Sequence, residues 1–310
     1  MRTVHVFHSR ARHIAALIAE VEPARPVIAW ERPEQLAAAL GEVRVLFAPM
    51  PPREGWAGAC ALELLQLAGA GVDHLLPSPD LPARVAVAGI RGVFADEAAE
   101  HAILMMLALC RRLPELLERQ HERDWAQRPV AKLAGRTVLV LGLGEIGRRV
   151  ASRASALGMR VLGVSRTGAP VPDVERVGEL DALLPEADHV VVTVPLTAAT
   201  RHLIDARALA RLPRGAFVVH LSRGGVIDEA ALFSALESGA LGGAALDVFE
   251  HEPLAPSSPL WSAPNTIVTP HLAGYGERYL EAAVRALIEN VRRLEAGEPL
   301  VGLVDRDAGY

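Results

Sequence analysis

The 310-residue chain has only two cysteines, Cys60 and Cys110. Two cannot form a disulfide framework, so a reducing compartment is expected. Aromatic residues make up only 4%, so the core has to be built from Ala, Leu and Val. Positive charge is not in excess: 32 Lys+Arg stand against 37 Asp+Glu, a net charge of −5 with the His neutral. That leaves no electrostatic footprint for a nucleic-acid partner. Long apolar runs are missing as well. The longest, Ala102 to Cys110, falls far short of the roughly 18 residues a membrane span needs. Near the start, His5, His8, Arg10 and Arg12 interrupt the apolar core of any signal peptide. Repeats and low-complexity tracts are absent. A soluble, cytoplasmic protein with no membrane partner and no metal centre is expected. What is present is an ordinary globular balance, 51% hydrophobic and 22% charged, at a length that suits two domains.

Short apolar runs alternate with helical stretches along the whole chain. Strands are read at Thr3–Phe7, Val43–Phe47, Leu64–Leu67 and Val85–Ala88, with a helix over Ala11–Glu20. Such alternation predicts βαβ units and a parallel sheet. Glu97–Leu113 reads as one long helix, apolar on most sides between His101 and Cys110, which predicts burial against another domain or a second subunit. Arg119–Lys132 is polar, carries Trp125 and reads as a connector. A second series follows Gly135, with strands at Thr137–Leu141, Arg160–Val164, His189–Val194, Ala216–His220, Ala244–Asp247 and Thr266–Thr269. Its helices are Gly147–Leu157, one capped by Asp228, and a final amphipathic helix over Ala282–Glu295. The expected fold is α/β: two Rossmann-like domains with doubly wound parallel sheets. A cofactor domain over 99–283 is inserted into a discontinuous substrate domain, 1–98 with 284–310.

The strongest local signal is Gly142-Leu143-Gly144-Glu145-Ile146-Gly147, placed directly after the apolar run Val138–Leu141. A glycine loop in that strand-to-helix context binds a dinucleotide. Gly142 permits the turn, Gly144 lets backbone approach a pyrophosphate, and Gly147 lets helix and strand pack closely. Free N–H groups at the helix start then hold the anion. A second signal is Arg223, just after a buried strand and before Gly224-Gly225. Ligands of open α/β sheets bind at such strand ends, and a guanidinium fork suits a carboxylate or carbonyl oxygen. Asp247-Val248-Phe249-Glu250-His251-Glu252-Pro253 and Thr269-Pro270-His271 also follow strands. Taken singly, their acids and histidines read as solvated or structural side chains.

Together these pieces resemble the D-isomer-specific 2-hydroxyacid dehydrogenases along nearly the whole chain. Gly69-Ala70-Gly71-Val72-Asp73, Ala99-Glu100-His101, the glycine loop, Val194-Pro195-Leu196-Thr197, Ser222-Arg223-Gly224, Asp247-Val248-Phe249, Glu252-Pro253 and Thr269-Pro270-His271 occur in the family's order. The tail from Val304 to Tyr310 is similar to that of the glyoxylate/hydroxypyruvate reductase A subgroup. The resemblance implies that Arg223 binds the substrate carboxylate and carbonyl, that His271 is the acid/base, and that Glu252 hydrogen-bonds its imidazole. It further implies that Asp247 contacts the nicotinamide end and that the N–H groups of Ala70 and Gly71 hold the substrate carboxylate. Val194, Pro195, Thr200, Leu221 and His271 complete the implied cofactor contacts. One departure is His220, where similar proteins carry Asn. Nothing like the regulatory extension of phosphoglycerate dehydrogenases is expected after residue 310.

The implied set is chemically coherent. Reducing a 2-oxo acid such as glyoxylate or hydroxypyruvate puts negative charge on the carbonyl oxygen. Imidazole, with a reference pKa of about 6.5, can donate a proton near neutral pH, and a fixed guanidinium stabilises the developing charge. Cofactor choice is read after the second strand. NAD enzymes place an acid there for the ribose 2′-OH. Here the position 18 residues beyond Gly147 is Ser165, followed by Arg166 and Thr167. Hydroxyls and a guanidinium suit a 2′-phosphate, so NADP(H) is expected over NAD(H). A homodimer acting on small 2-oxo or 2-hydroxy acids follows from the resemblance. The alternatives are an NAD(P)-sensing, corepressor-like binding protein on the same fold, a dehydrogenase for another 2-hydroxy acid, or a methyltransferase using the glycine loop for an adenosine cofactor.

Overall fold

A computed structural model describes residues 1–306 except Pro77 and Arg91. Four residues of the tail that carries the subgroup resemblance, Asp307, Ala308, Gly309 and Tyr310, lie outside the described residues. The chain divides into two compact units, 1–93 with 277–310 and 94–276. The sequence boundaries at 98/99 and 283/284 are corrected by this division. They would cut the helices Ala95–Cys110 and Tyr279–Ala296, and each helix stays whole because it folds and packs as one cooperative element.

The first unit is built on the strands β1 (Val4–Phe7), β2 (Val27–Trp30), β3 (Val45–Phe47), β4 (Leu64–Gln66) and β5 (Ala86–Ala88). They pair in the order β2-β1-β3-β4-β5, all parallel. Helices α1 (Ala11–Val21) and α2 (Pro33–Ala39) belong to it. The buried residues of α1, Ala11, Ile14, Leu17 and Ile18, recur at helical spacing. Strand β2 and helix α2 go beyond the sequence expectation, because Pro26 and Pro33 bracket a run too short to signal an element by periodicity.

The second unit opens with α3 (Ala95–Cys110) and α4 (Leu113–Glu122). Its strands are β6 (Thr137–Leu141), β7 (Arg160–Val164), β8 (Arg176–Val177), β9 (His189–Val192), β10 (Ala216–His220), β11 (Leu241–Leu246) and β12 (Thr266–Val268). Helices α5 (Glu145–Ala156), α6 (Leu180–Leu183), α7 (Ala206–Leu209) and α8 (Glu229–Glu237) connect them. Helix α9 (Tyr279–Ala296) returns the chain to the first unit. The sheet order is β12-β11-β10-β9-β6-β7-β8, again all parallel. Both faces of this sheet are covered, as a parallel sheet requires. Along β6, Leu139 and Leu141 enter one hydrophobic cluster while Val138 and Val140 enter the other. Order reverses between β6 and β9, which places a crevice at their carboxyl ends.

Two expectations for the start of this unit are corrected. The single helix over Glu97–Leu113 is two helices, divided where Arg112 takes a left-handed φ of 57°. The connector expected from Arg119 begins only after Glu122, since ion pairs of Glu115 with Arg112 and Arg119 support another helical turn. Burial differs between the faces of α3. Ala99, Ala102, Met106 and Leu109 are buried, while Leu104 and Leu107 on the other face are exposed.

Candidate active site

The charged and hydroxyl side chains of the site belong to the second unit, at the carboxyl ends of its strands. The glycine loop leaves β6 and enters α5. Gly142 adopts a φ of 100°, and a Cβ on Gly147 would lie 1.8 Å from the Gly142 carbonyl oxygen. Only glycine fits at position 147. The loop is fixed from beneath by Thr193, whose hydroxyl donates to the Gly142 carbonyl at 2.7 Å, and by Arg148 Nε, which donates to the Leu143 carbonyl at 2.9 Å. Neither role was signalled by the motif. Leu143 and Leu221 are buried in the core, so only their backbone groups can meet a ligand. Glu145 pairs with Arg149 across one helical turn, and Ile146 packs against the same cluster. After β9, the Thr200 hydroxyl accepts from the Thr197 N–H and donates to the Pro195 carbonyl at 2.6 Å, closing the turn that follows Val194.

Ser165, Arg166 and Thr167 form a turn after β7, in which the Gly168 N–H donates to the Ser165 carbonyl at 3.4 Å. The Ser165 Oγ is buried and has no hydrogen-bond partner among the described residues. A buried hydroxyl is normally satisfied. This orphaned atom, beside a glycine cradle whose shape only glycine permits, fits a bound dinucleotide that carries a polar group at the ribose.

Arg223 sits one loop beyond β10. A Cβ on Gly224 would fall 1.8 Å from the Phe249 carbonyl oxygen, so the Arg223 loop and the loop after β11 touch through backbone alone. That close approach brings Arg223 to Glu252 and His271. His271 Nδ1 is 2.7 Å from Glu252 Oε2. The carboxylate can only accept, so Nδ1 carries the hydrogen and Nε2 faces outward. Arg223 Nη1 lies 3.5 Å from that Nε2 and donates to the Ser222 carbonyl at 2.8 Å. Burial works to raise the Glu252 carboxyl. Hydrogen bonds from His271 and the Phe249 N–H, with the Arg223 charge nearby, outweigh it and hold Glu252 below the ordinary carboxylate value. The histidine and its carboxylate remain partly exposed.

His271 adopts a left-handed φ of 51°, a backbone that costs a β-carbon-bearing residue about 1–2 kcal/mol. Asp247, 2% exposed, holds it there. The Asp247 carbonyl accepts the His271 N–H at 2.8 Å. Its carboxylate accepts the Thr269 hydroxyl at 2.6 Å and the N–H groups of Leu272 and Ala273 at 2.9 Å each. His220, the last residue of β10, is buried and hydrogen-bonded to the Arg223 backbone. Burial lowers its pKa to about 4. Ala70, exposed, and Gly71, half-buried, belong to the loop after β4 in the first unit.

Set beside known proteins, residues 103–273 match the family model described as "D-isomer specific 2-hydroxyacid dehydrogenase, NAD binding domain". The chain belongs to the D-isomer specific 2-hydroxyacid dehydrogenase family. It is 32% identical over 248 residues to a glycerate dehydrogenase of Methylorubrum extorquens, covering 77% of each chain. It is 34% identical to a D-3-phosphoglycerate dehydrogenase of Methanocaldococcus jannaschii over 76% of this chain but 46% of that protein. Among solved structures, an NADPH-dependent glyoxylate/hydroxypyruvate reductase from Sinorhizobium meliloti, in complex with NADP and sulfate, superposes with a TM-score of 0.88. That protein is 30% identical, and the match covers 100% of both chains. The chain is thus an oxidoreductase of the hydroxyacid dehydrogenase type with a nicotinamide-dinucleotide-binding domain.

Proposed function

We propose that the protein reduces a small 2-oxo acid, glyoxylate or hydroxypyruvate, to the D-2-hydroxy acid, with NADPH preferred over NADH. The observation that carries this reading is the Glu252–His271 pair, with the Arg223 guanidinium 3.5 Å from His271 Nε2. When bound, the nicotinamide cofactor supplies a hydride to the carbonyl carbon. The protein's own groups deal with the oxygen. Arg223 binds the carboxylate and stabilises negative charge as it grows on the carbonyl oxygen. His271 delivers a proton to that oxygen from Nε2. Glu252 keeps Nδ1–H engaged, which fixes the tautomer and orients the ring. The backbone N–H groups of Ala70 and Gly71 hold the substrate carboxylate. The cofactor is held by 142–147, by Val194, Pro195 and Thr200, by the Leu221 backbone, and by Asp247 and His271 at the nicotinamide end.

Preference for NADPH rests on Ser165-Arg166-Thr167, where no carboxylate repels a 2′-phosphate and the Ser165 hydroxyl has no hydrogen-bond partner among the described residues. The similar Sinorhizobium enzyme, named as NADPH-dependent, supports it. Two unpaired cysteines, Cys60 and Cys110, support a cytoplasmic location. Leu104, Leu107, Leu113, Leu116 and Leu117 on α3 and α4 expose an apolar surface that favours a homodimer. A monomer at micromolar concentration by light scattering contradicts that assembly. The function is tested with a panel of 2-oxo acids against NADPH and NADH. The reading expects kcat/KM to favour NADPH by at least about tenfold, a difference of about 1.4 kcal/mol, on glyoxylate or hydroxypyruvate. Cofactor binding without turnover on any 2-oxo acid contradicts it and favours a nucleotide-sensing role.

A further inference from the structure

One buried imidazole has no part in the chemistry above. His101 lies on α3, and its side chain is 9% exposed. Its Nε2 is 3.3 Å from Thr269 Oγ1 and 3.9 Å from Asp247 Oδ1. The hydrogens in this chain can be placed by elimination. Asp247 takes backbone N–H groups on both carboxylate oxygens, so it is an acceptor throughout. The Thr269 hydroxyl, 2.6 Å from Oδ1, must therefore point its single hydrogen at Asp247. Only lone pairs of Thr269 Oγ1 then face His101, so Nε2 carries the hydrogen. The result is a directed relay from His101 Nε2–H to the Thr269 hydroxyl to the Asp247 carboxylate. Burial lowers the His101 pKa and Asp247 works to raise it, and a neutral ring with one N–H is what the relay needs.

The relay ends on the group that shapes the His271 loop. Asp247 accepts the N–H of His271 on its carbonyl and those of Leu272 and Ala273 on its carboxylate. These bonds hold His271 at its left-handed φ of 51°. If Thr269 turns its hydroxyl away, Oδ1 loses its shortest hydrogen bond, and the loop loses a restraint on the residue that meets the substrate. Among the described residues, the carboxylate's other hydrogen bonds come from the loop it has to restrain, so its fixed position depends on Thr269 and, behind it, on a donor from α3.

We propose that His101 is a positioning residue for His271, acting through Thr269 and Asp247 to fix the loop that carries the proton donor. The proposal rests on the reading of His271 as that donor. His101 itself is assigned no cofactor or substrate contact; it reaches the assigned group Asp247 through Thr269.

The test compares His101→Leu with His101→Gln, whose amide nitrogen can supply the same hydrogen. Each variant is measured for kcat and KM on glyoxylate, for NADPH affinity by fluorescence titration, and for amide exchange at Leu272 and Ala273. His101→Leu is expected to lower kcat by about tenfold or more, because small misplacements of a reacting group are costly. KM and NADPH affinity should stay within about twofold of wild type, and both amides should exchange faster. His101→Gln should bring kcat back to within about threefold and restore amide protection. A Leu variant with wild-type kcat and protection overturns the proposal. So does a Gln variant as impaired as the Leu variant, which would make His101 a packing residue. If His101→Leu does not fold, the next link serves: Thr269→Val should be slow and Thr269→Ser near wild type, and equal rates overturn the proposal. If the wild-type enzyme reduces no 2-oxo acid, the functional reading fails by itself, and the exchange measurements alone decide the positioning role.

Discussion

At its amino edge the seven-stranded sheet buries His189, the first residue of β9; at its carboxyl edge it buries His220, the last residue of β10. Burial lowers both to about pKa 4. Their neighbours differ in what they are free to do. At the amino edge, Asp188 is tied to Arg136 at 2.7 Å and to the Thr137 N–H at 2.9 Å, and His189 stacks on Phe217. Charge there is used up in joining strand starts. At the carboxyl edge, the His220 ring holds the backbone of Arg223, whose guanidinium reaches toward His271 Nε2. Similar residue types therefore brace one end of the sheet and aim groups outward at the other. The difference lies in the loops: the carboxyl-edge loops need a left-handed His271 and a glycine at 224, while β9 simply begins at the amino edge. Backbone strain is maintained where side chains must be aimed.

The comparison is broken most sharply at Arg223. Arg223→Lys replaces a planar fork with a point charge. It should cost roughly 10²–10³ in kcat/KM, the usual worth of one group that stabilises developing charge. Arg136→Lys, at the amino edge, should leave steady-state rates unchanged. Similar losses in both variants would erase the distinction between the two edges.

A smaller effect appears in acid. Both imidazoles are neutral in the folded protein down to about pH 4, while an unfolded histidine protonates below about 6.5. The unfolded state thus binds more protons between these values, so stability is fully present above about pH 6.5 and falls as pH drops toward 4. Each histidine should cost about 2 kcal/mol by pH 5. Thermal melts across this range should show a steeper acid limb for wild type than for His189→Leu or His220→Leu. Only His220→Leu should also lower kcat/KM, by several-fold, because it leaves the Arg223 carbonyl without its buried donor. A flat acid limb in wild type, or an equal loss of activity in both variants, contradicts the account.

The smallest effect concerns the ribose end. Ser165→Asp places a negative charge where a 2′-phosphate is proposed to sit. It should shift the NADPH/NADH ratio of kcat/KM by about tenfold toward NADH, or about 1.4 kcal/mol. An unchanged ratio would show that Ser165 does not face the ribose.

Much of this was legible in the sequence, for identifiable reasons. Strands β6, β7 and β10 have the limits read from it, because central parallel strands are unbroken apolar runs that turn signals bracket. Asp228 caps α8 as its position before Glu229 implied. The glycine loop and the Ser165 turn are local patterns and could be found by spacing. The spatial meeting of Glu252 with His271 could not, since 19 residues and a strand separate them; only resemblance to a family brought them together. Thr193, Thr269 and His101 were missed as positioning groups because each acts through a backbone or hydroxyl partner distant in sequence. The exposed face of α3, with Leu104 and Leu107, was hard to pick out in a helix that looked apolar on most sides.

The central claim is that His271, oriented by Glu252, gives the proton to the nascent alkoxide. Its most direct test is kcat for wild type and His271→Ala on the best 2-oxo acid at neutral pH, with NADPH affinity measured alongside. The account predicts a fall of roughly 10²–10⁴ in kcat, the worth of general acid catalysis, with the fold retained. A His271→Ala enzyme that keeps near wild-type turnover would contradict it.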